Sequence, residues 1–282
     1  MQADQEVINR WSASAPFWEK HGEIIRQMFA PITEALVEDA QIGLQQTVLD
    51  IATGPGEPAL SVAAVVGSKG KVYGIDPIPE MVEAARRAAD GLGLNNAQFD
   101  VAFAEQLPFS DDTFDAVISR FGVMFFSSPV DAVREMLRVL KPGRKLALGV
   151  WHFAEENPFH YTLSRVIEQY VDSPPVVPDA PDAFRFARSG KLTEVLVEAG
   201  VRAASERLFQ FNIQTPISVE DYWTLRLEMS EKLREKIAML SKQQVTEVKR
   251  QVLDALREYS TDLGMSFPAE VLIVSGSKSG AA

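Results

Sequence analysis

The stretch from Val48 to Leu60, VLDIATGPGEPAL, decides the fold. Its apolar run, ending in Asp50, reads as a buried parallel strand, because strands covered on both faces carry continuous rather than alternating apolar residues. Gly54, Pro55 and Gly56 then make a sharp turn, and Pro58-Ala59-Leu60 reads as the first turn of a helix. Glycine permits φ > 0 and lets a ligand approach the backbone closely, at the start of a helix. A strand, a glycine turn and a helix in this order form a site for an adenosine-bearing ligand.

Two cofactors are served by this arrangement. Gly54-Pro55-Gly56-Glu57-Pro58-Ala59 fits the dinucleotide pattern G-x-G-x-x-G/A, and Asp76 follows about 20 residues later, where an acid would hold a ribose hydroxyl. Three further features tip the balance away from a nicotinamide cofactor. Asp50 stands inside the strand end, four residues before Gly54. An acidic-aromatic cassette, Leu107-Pro108-Phe109-Ser110-Asp111-Asp112-Thr113-Phe114-Asp115, lies downstream. Leu140-Lys141-Pro142-Gly143-Arg144 makes a turn just before another apolar strand.

Together these motifs resemble the class I S-adenosylmethionine-dependent methyltransferases, of the small-molecule type that includes the quinone-biosynthesis C-methyltransferases. The resemblance covers roughly residues 45–152, in order and without gaps. It implies an α/β fold: a doubly wound, mostly parallel seven-stranded sheet with helices on both faces, the last strand antiparallel, and a discontinuous helical cap.

The resemblance implies a cofactor site residue by residue. Asp50, Ala52, Gly54 and Gly56 match the glycine-rich loop along the methionine portion of S-adenosyl-L-methionine. Asp76 ends the second strand, KVYGID, and matches the acid that takes both ribose hydroxyls in a charge-assisted contact. Pro77 follows it, and Met81 matches a position near the adenine, although core packing accounts for Met81 equally well. The family usually shows Gly-Asp-Ala-Glu before Leu-Pro-Phe, whereas this chain reads Ala102-Phe103-Ala104-Glu105. Phe103 cannot accept from the adenine amino group, which leaves stacking and the Ala104 amide to hold the base. Ser119-Arg120-Phe121 follows the fourth strand and matches the end that faces the methionine carboxylate and the methyl group.

Composition bounds the rest. At 282 residues and 46% hydrophobic content, this is one large domain or one and a half, with a sizeable core. No apolar run is long enough for a membrane span, and MQADQEVINRW lacks the pattern of a signal peptide, so a cytoplasmic protein is expected. The absence of cysteine excludes disulfides, thiolate metal sites and cysteine nucleophiles, and no metal constellation is visible. A net charge of −11 with no basic stripe argues against nucleic acid.

Along the chain, residues 1–40 read as an N-terminal helical lid with Trp11 and Trp18 among its apolar points; a helix on the sheet edge would carry the same pattern. Residues 41–151 alternate strand and helix, with strands near 47–51, 71–75, 97–101, 114–119 and 145–151, and make the cofactor-binding core. A cap insertion follows at 152–190, holding a helix at 157–171 and a proline-rich loop, Ser173 to Asp182. The core continues at 191–214, where Gly200 stops a helix. A second helical insertion spans 215–266, read as two helices that face the core or another copy of the chain. Residues 267–282 supply the last core strand and a frayed tail.

The reaction expected is methyl transfer to oxygen or carbon of a small, apolar or aromatic acceptor. The candidate bases are His152, after the fifth strand, and His160, in the first cap segment, with His21, Tyr161 and Tyr222 behind them; a lone histidine is as readily structural. Trp11, Trp18, Phe159 and Trp223 are candidate acceptor contacts, though a core position explains such aromatics too. Two alternatives stand beside this reading. A NAD-dependent oxidoreductase would show a catalytic Tyr-x-x-x-Lys, which is not visible. A noncatalytic S-adenosylmethionine-binding protein would bind without turnover.

Overall fold

The computed structural model describes residues 2–172, 177 and 179–280. Half of the proline-rich segment, 173–176 and 178, lies outside the described residues, as do residue 1 and the last two residues of the tail.

The chain opens with two helices, α1 (Gln2–Lys20) and α2 (Gly22–Asp39), rather than one continuous helical stretch. They part at His21, just before a glycine. The core then alternates: β1 (Thr47–Ile51), α3 (Ala59–Val66), β2 (Lys71–Asp76), α4 (Pro79–Leu92), β3 (Ala97–Val101), β4 (Phe114–Arg120), α5 (Pro129–Val139) and β5 (Leu140–Trp151). Val48 and Leu49 of β1 are wholly buried, as are Ala116, Val117 and Ile118 of β4. Burying each large aliphatic side chain contributes about 1.5–3 kcal/mol, which is why these runs occupy the middle of the sheet. Proline at the first turn of α4 and α5 starts those helices with its φ already set.

The second half holds α6 (Pro158–Ile167), α7 (Lys191–Ala199), β6 (Arg202–Thr215), α8 (Val219–Met229), α9 (Glu231–Ala238), α10 (Lys242–Ala255), β7 (Ser260–Thr261) and β8 (Gly264–Ser277). Gly200 ends α7 at φ 101°, the left-handed conformation that halts a helix. The insertion after β6 contains three helices, not two, because serine caps restart the chain twice. Ser230 accepts from Leu233 N–H, and Ser241 forms a capping box with Gln244. The last core strand begins at Gly264, earlier than the expected 267, since β7 and β8 form a hairpin at the end of the insertion.

Sheet order is β3-β2-β1-β4-β5-β8-β6, with the two-residue β7 added on β8. The first five strands are parallel, and β8 runs antiparallel to both neighbours. The Leu140–Arg144 turn is accommodated as a bulge: pairing jumps from Phe114↔Leu140 to Ala116↔Lys145, with Gly143 at φ 74°. Among the described residues, no helix is long and apolar enough to cross a membrane.

Strand order reverses between β1 and β4. The crossovers after these two strands leave on opposite sides, so a crevice opens beyond their carboxyl ends. That crevice positions the site.

Candidate active site

The glycine turn is built from backbone inward. Thr53 N–H donates to Ile75 O at 2.9 Å, which ties the end of β1 to β2, and Leu60 N–H donates to Gly56 O at 2.8 Å as α3 begins. Gly54 sits at φ 56°, and a Cβ added there would meet no protein atom; the space belongs to the cavity that Gly54 lines. Gly56 is different. At φ 113°, its added Cβ would stand 2.7 Å from Leu60 Cδ1, so the missing side chain lets the loop lie against α3. Asp50 is fully buried behind the loop and accepts from Ala59 N–H at 3.1 Å. Burial pushes its carboxyl up to about 7. It does not line the cavity: it holds the first turn of α3 rather than facing a ligand.

The cavity measures about 1000 Å3 and lies beyond β1, β2 and β4, beneath α1 and α2. Binding pockets run from roughly 300 to 1,000 Å3, so it has room for a nucleoside cofactor and a small second molecule. Asp76 stands in its wall. One carboxylate oxygen accepts from Gly54 N–H at 2.9 Å and the other from Ile78 N–H at 3.0 Å. Burial raises its pKa to about 6, against the pull of these two amides. Each carboxylate oxygen offers two acceptor positions, so both retain one for an incoming hydroxyl. Pro77 and Met81 line the same wall, and Met81 also packs with Ile78 and Ala15.

At the end of β4, Arg120 is buried, and its Nη1 donates to Thr33 Oγ1 at 2.8 Å and to Phe29 O at 3.4 Å. Among the described residues no carboxylate lies within ion-pair distance of it; burial depresses its pKa, while the fields of Glu57 and Asp50 oppose that. Phe121 follows at φ 66°, uncommon for a bulky residue and a sign of local strain at the cavity wall. Its ring stacks on Trp151 at 4.2 Å and meets Phe29 edge-on at 5.4 Å. Trp11 and Trp18 close the cavity from α1: they meet at 5.5 Å, Trp11 lies 5.2 Å from Phe125, and Trp18 Nε1 donates to Met229 O at 3.3 Å.

Several expected site residues are not brought to this cavity. Phe103 is half exposed, Ala104 is buried elsewhere, and Glu105 accepts from Ser128 N–H at 3.2 Å. Ser119 is a brace between strands, its hydroxyl donating to Ile51 O at 2.8 Å. Phe159 is fully buried against Tyr222 and Phe267, and Trp223 is buried in the same core. Phe159 and Tyr222 pack on Phe267 of β8, and neither Phe159 nor Trp223 lines the cavity. His152 Nδ1 pairs with Glu270 at 2.8 Å and does not line the cavity. His160 lies behind Trp151, its ring 4.5 Å away, and burial holds it well below the usual histidine range, in the neutral form.

Other residues face the cavity without having been singled out for it, notably Arg26, Ser61 and Phe125. Arg26 had a signal: Gly22, Ile25, Arg26 and Phe29 share one face of α2 by helical spacing. Glu57 reads from sequence as a helix N-terminal charge, yet it also lines the cavity.

A protein-family model described as a methyltransferase domain matches residues 48–143. The uncharacterized methyltransferase YcgJ of Bacillus subtilis is 38% identical over 123 residues, 44% of this chain and 47% of that protein, so the match spans about half of its length. An uncharacterized protein of Mycobacterium tuberculosis is 35% identical over 201 residues, 70% of this chain and 69% of its own. The demethylmenaquinone methyltransferase of Chlorobaculum parvum is 31% identical over 180 residues, 60% of this chain and 70% of its own. The crystal structure of YcgJ superposes with a TM-score of 0.58 at 21% identity, covering 89% of this chain and all of that one, and shows the shared fold. The named activities among these relatives decide between the two cofactors that share the glycine turn.

Proposed function

We propose that this chain, which belongs to the S-adenosylmethionine-dependent methyltransferases, methylates oxygen or carbon of a small, apolar or aromatic molecule. The observation that carries the acceptor class is the aromatic lining. Trp11, Trp18, Phe29, Phe121 and Phe125 all face the cavity whose opposite wall is Asp76 and the glycine turn. A flat apolar acceptor is held by such rings through area burial and edge or face contact.

The cofactor supplies a methyl carbon already activated by its sulfonium. The residues of this chain then have three tasks. Asp76, set by two amides, orients the ribose. Gly54 lets that ligand lie against the backbone. The rings of α1, α2 and the β4 end align the acceptor and exclude water. No histidine role is included, since His152 and His160 lie away from the cavity. A carbon beside a phenol or enol needs little help from a base, and the relative named for demethylmenaquinone favours that chemistry over a simple hydroxyl. In this reading α1 is a lid over the acceptor, while the insertions at 152–190 and 215–266, expected as caps, contribute no residue to the cavity lining among the described residues.

The test is two-stage. Ligand-free protein is titrated with S-adenosylhomocysteine and, in parallel, NAD; micromolar binding of the first alone is expected. Labelled S-adenosylmethionine is then incubated with quinols, phenols and polar amines. Methyl transfer to the first two classes supports the reading. Transfer only to amines overturns the acceptor class, and tight binding without turnover on any acceptor favours the noncatalytic alternative.

A further inference from the structure

Arg226, on α8 in the second insertion, is a buried guanidinium with no acid beside it. It is 6% exposed, and its Nε is shut off from solvent without a hydrogen-bond partner. Its polar neighbours are the Tyr222 hydroxyl and the His160 ring, and among the described residues no carboxylate lies within ion-pair distance. Ser173, Pro174, Pro175, Val176 and Pro178 bring no acid to the chain either. The Tyr222 hydroxyl gives its hydrogen to Phe159 O at 2.7 Å, so toward Arg226 it can only accept. His160, on α6 in the first insertion, carries a second such group: its Nε2 is equally shielded and unpartnered. Burial, with the field of Arg226 behind it, keeps that ring neutral. A neutral imidazole with its hydrogen on Nε2 is a donor. The two insertions thus meet around one cation and one free donor, a single positive charge that no described residue balances. A buried charge without a counter-charge is among the costliest things a core can hold.

The surroundings indicate what would balance it. A guanidinium edge matches the two oxygens of a carboxylate, and one cation with one neutral donor suits one negative charge. The flanks are rings. Arg226 Cζ lies over Phe159 at 5.0 Å, and His160 meets Trp151 at 4.5 Å, Phe159 at 5.2 Å and Phe184 at 6.2 Å, each edge-on. A phosphate dianion or a hydrated ion would leave charge or water against them, whereas an acid on an aromatic body would not. His160 keeps partial exposure, so the pair is open to an approach from outside the core.

We propose that the contact between α6 and α8 is a second binding site, which takes the carboxylate of a small aromatic acid on Arg226 and His160. Neither residue lines the large cavity, so the site is separate from it and does not depend on the cofactor reading. It lies one ring behind the cavity wall: His160 meets Trp151, and Trp151 stacks at 4.2 Å on Phe121, which lines the cavity. An occupant bears on that aromatic wall without touching Asp76 or the glycine turn.

The experiment is calorimetric titration of the full chain with benzoate and with benzyl alcohol, which keeps the ring and lacks the charge. Both are repeated with S-adenosylhomocysteine present, and Arg226→Met and His160→Gln are titrated and melted alongside. Loss of a charged hydrogen bond corresponds to roughly 10- to 100-fold in affinity. Benzoate is expected to bind more tightly than benzyl alcohol by about that factor, and S-adenosylhomocysteine should leave its affinity within about twofold. Arg226→Met should lose benzoate by roughly 10- to 100-fold yet melt no lower than the unaltered chain, since the unbalanced charge is gone. His160→Gln keeps a donor and should lose less. Equal affinity for benzoate and benzyl alcohol, or no binding of benzoate, overturns the proposal. Competition between benzoate and S-adenosylhomocysteine would put the acid in the large cavity, and an Arg226→Met chain that melts lower or does not fold would make the guanidinium part of the core; both overturn it too. Failure of S-adenosylhomocysteine to bind would count against the cofactor reading alone, because the comparison of benzoate with benzyl alcohol stands without it.

Discussion

Asp76, the last residue of β2, accepts the backbone N–H of Gly54, in the turn after β1, at 2.9 Å. One carboxylate thus fixes the glycine turn, and under the proposed function it also receives the ribose, so binding and loop geometry would be coupled at a single side chain. Asp76→Ala removes the acceptor and leaves the Gly54 and Ile78 amides unpaired. Affinity for S-adenosylhomocysteine is expected to fall at least about 100-fold by calorimetry, the loss of more than one charge-assisted hydrogen bond. Asp76→Asn keeps one acceptor and should lose less.

Acid pH should reproduce part of that loss. Under the proposed function the ionised carboxylate accepts both ribose hydroxyls, and burial raises the Asp76 pKa to about 6 in the ligand-free chain. Binding below pH 6 must therefore expel a proton, and the Kd of S-adenosylhomocysteine is expected to rise by up to tenfold per unit between pH 6 and 5. Above pH 7 it should be flat, and in Asp76→Asn the slope should vanish.

Stability without ligand runs the other way. Asp50, at about 7, and Asp76, at about 6, both have folded-state pKa values above that of an unfolded aspartate. These two groups bind more protons in the folded chain than in the unfolded one between about pH 4 and pH 7, so their contribution to stability falls as pH rises through that window, while buried, neutral His160 acts in the opposite sense. Thermal unfolding at stepped pH should show it, and Asp50→Asn should flatten the upper part. An unchanged slope in that variant would assign the effect to other groups.

Trp11 closes the cavity from α1 against Trp18 and Phe125. Truncating a central aromatic contact typically loses more than about 1 kcal/mol. Trp11→Ala is expected to weaken S-adenosylhomocysteine about tenfold and to reduce the protection that ligand gives the α1–α2 junction at His21 against limited proteolysis. Full protection in the variant would show that α1 is a fixed wall and not a lid.

Phe159 should behave as core. It is fully buried against Tyr222, whose hydroxyl donates to Phe159 O at 2.7 Å. Phe159→Ala is expected to destabilise by about 3–5 kcal/mol in denaturant unfolding. Ligand affinity, measured at low temperature on the folded fraction, should stay within twofold. A selective loss of acceptor turnover with unaltered stability would return Phe159 to the acceptor site.

The sequence by itself determined the segment from β1 to α3, the acid at the end of β2, and the alternation that makes the sheet parallel. Each is a local matter: apolar runs, positive φ in the turn, and a carboxylate at a strand end are written within a few residues of one another. It also placed Arg120 and Phe121 at the end of a strand, where ligands of such sheets sit, while the pairing of that strand with β1 came from the structure. Tertiary structure alone decided which side chains face the crevice. Trp18 meets Met229 across 211 residues, and His152 meets Glu270 across 118. Helical spacing says only that one face of α6 and of α8 is apolar; packing turned Phe159, against Phe267 of β8, and Trp223 into core and left Phe121, Trp11 and Glu57 to the cavity. An apolar stripe is the same in sequence whether it meets a sheet or a ligand, and only the distant surface that covers it settles which.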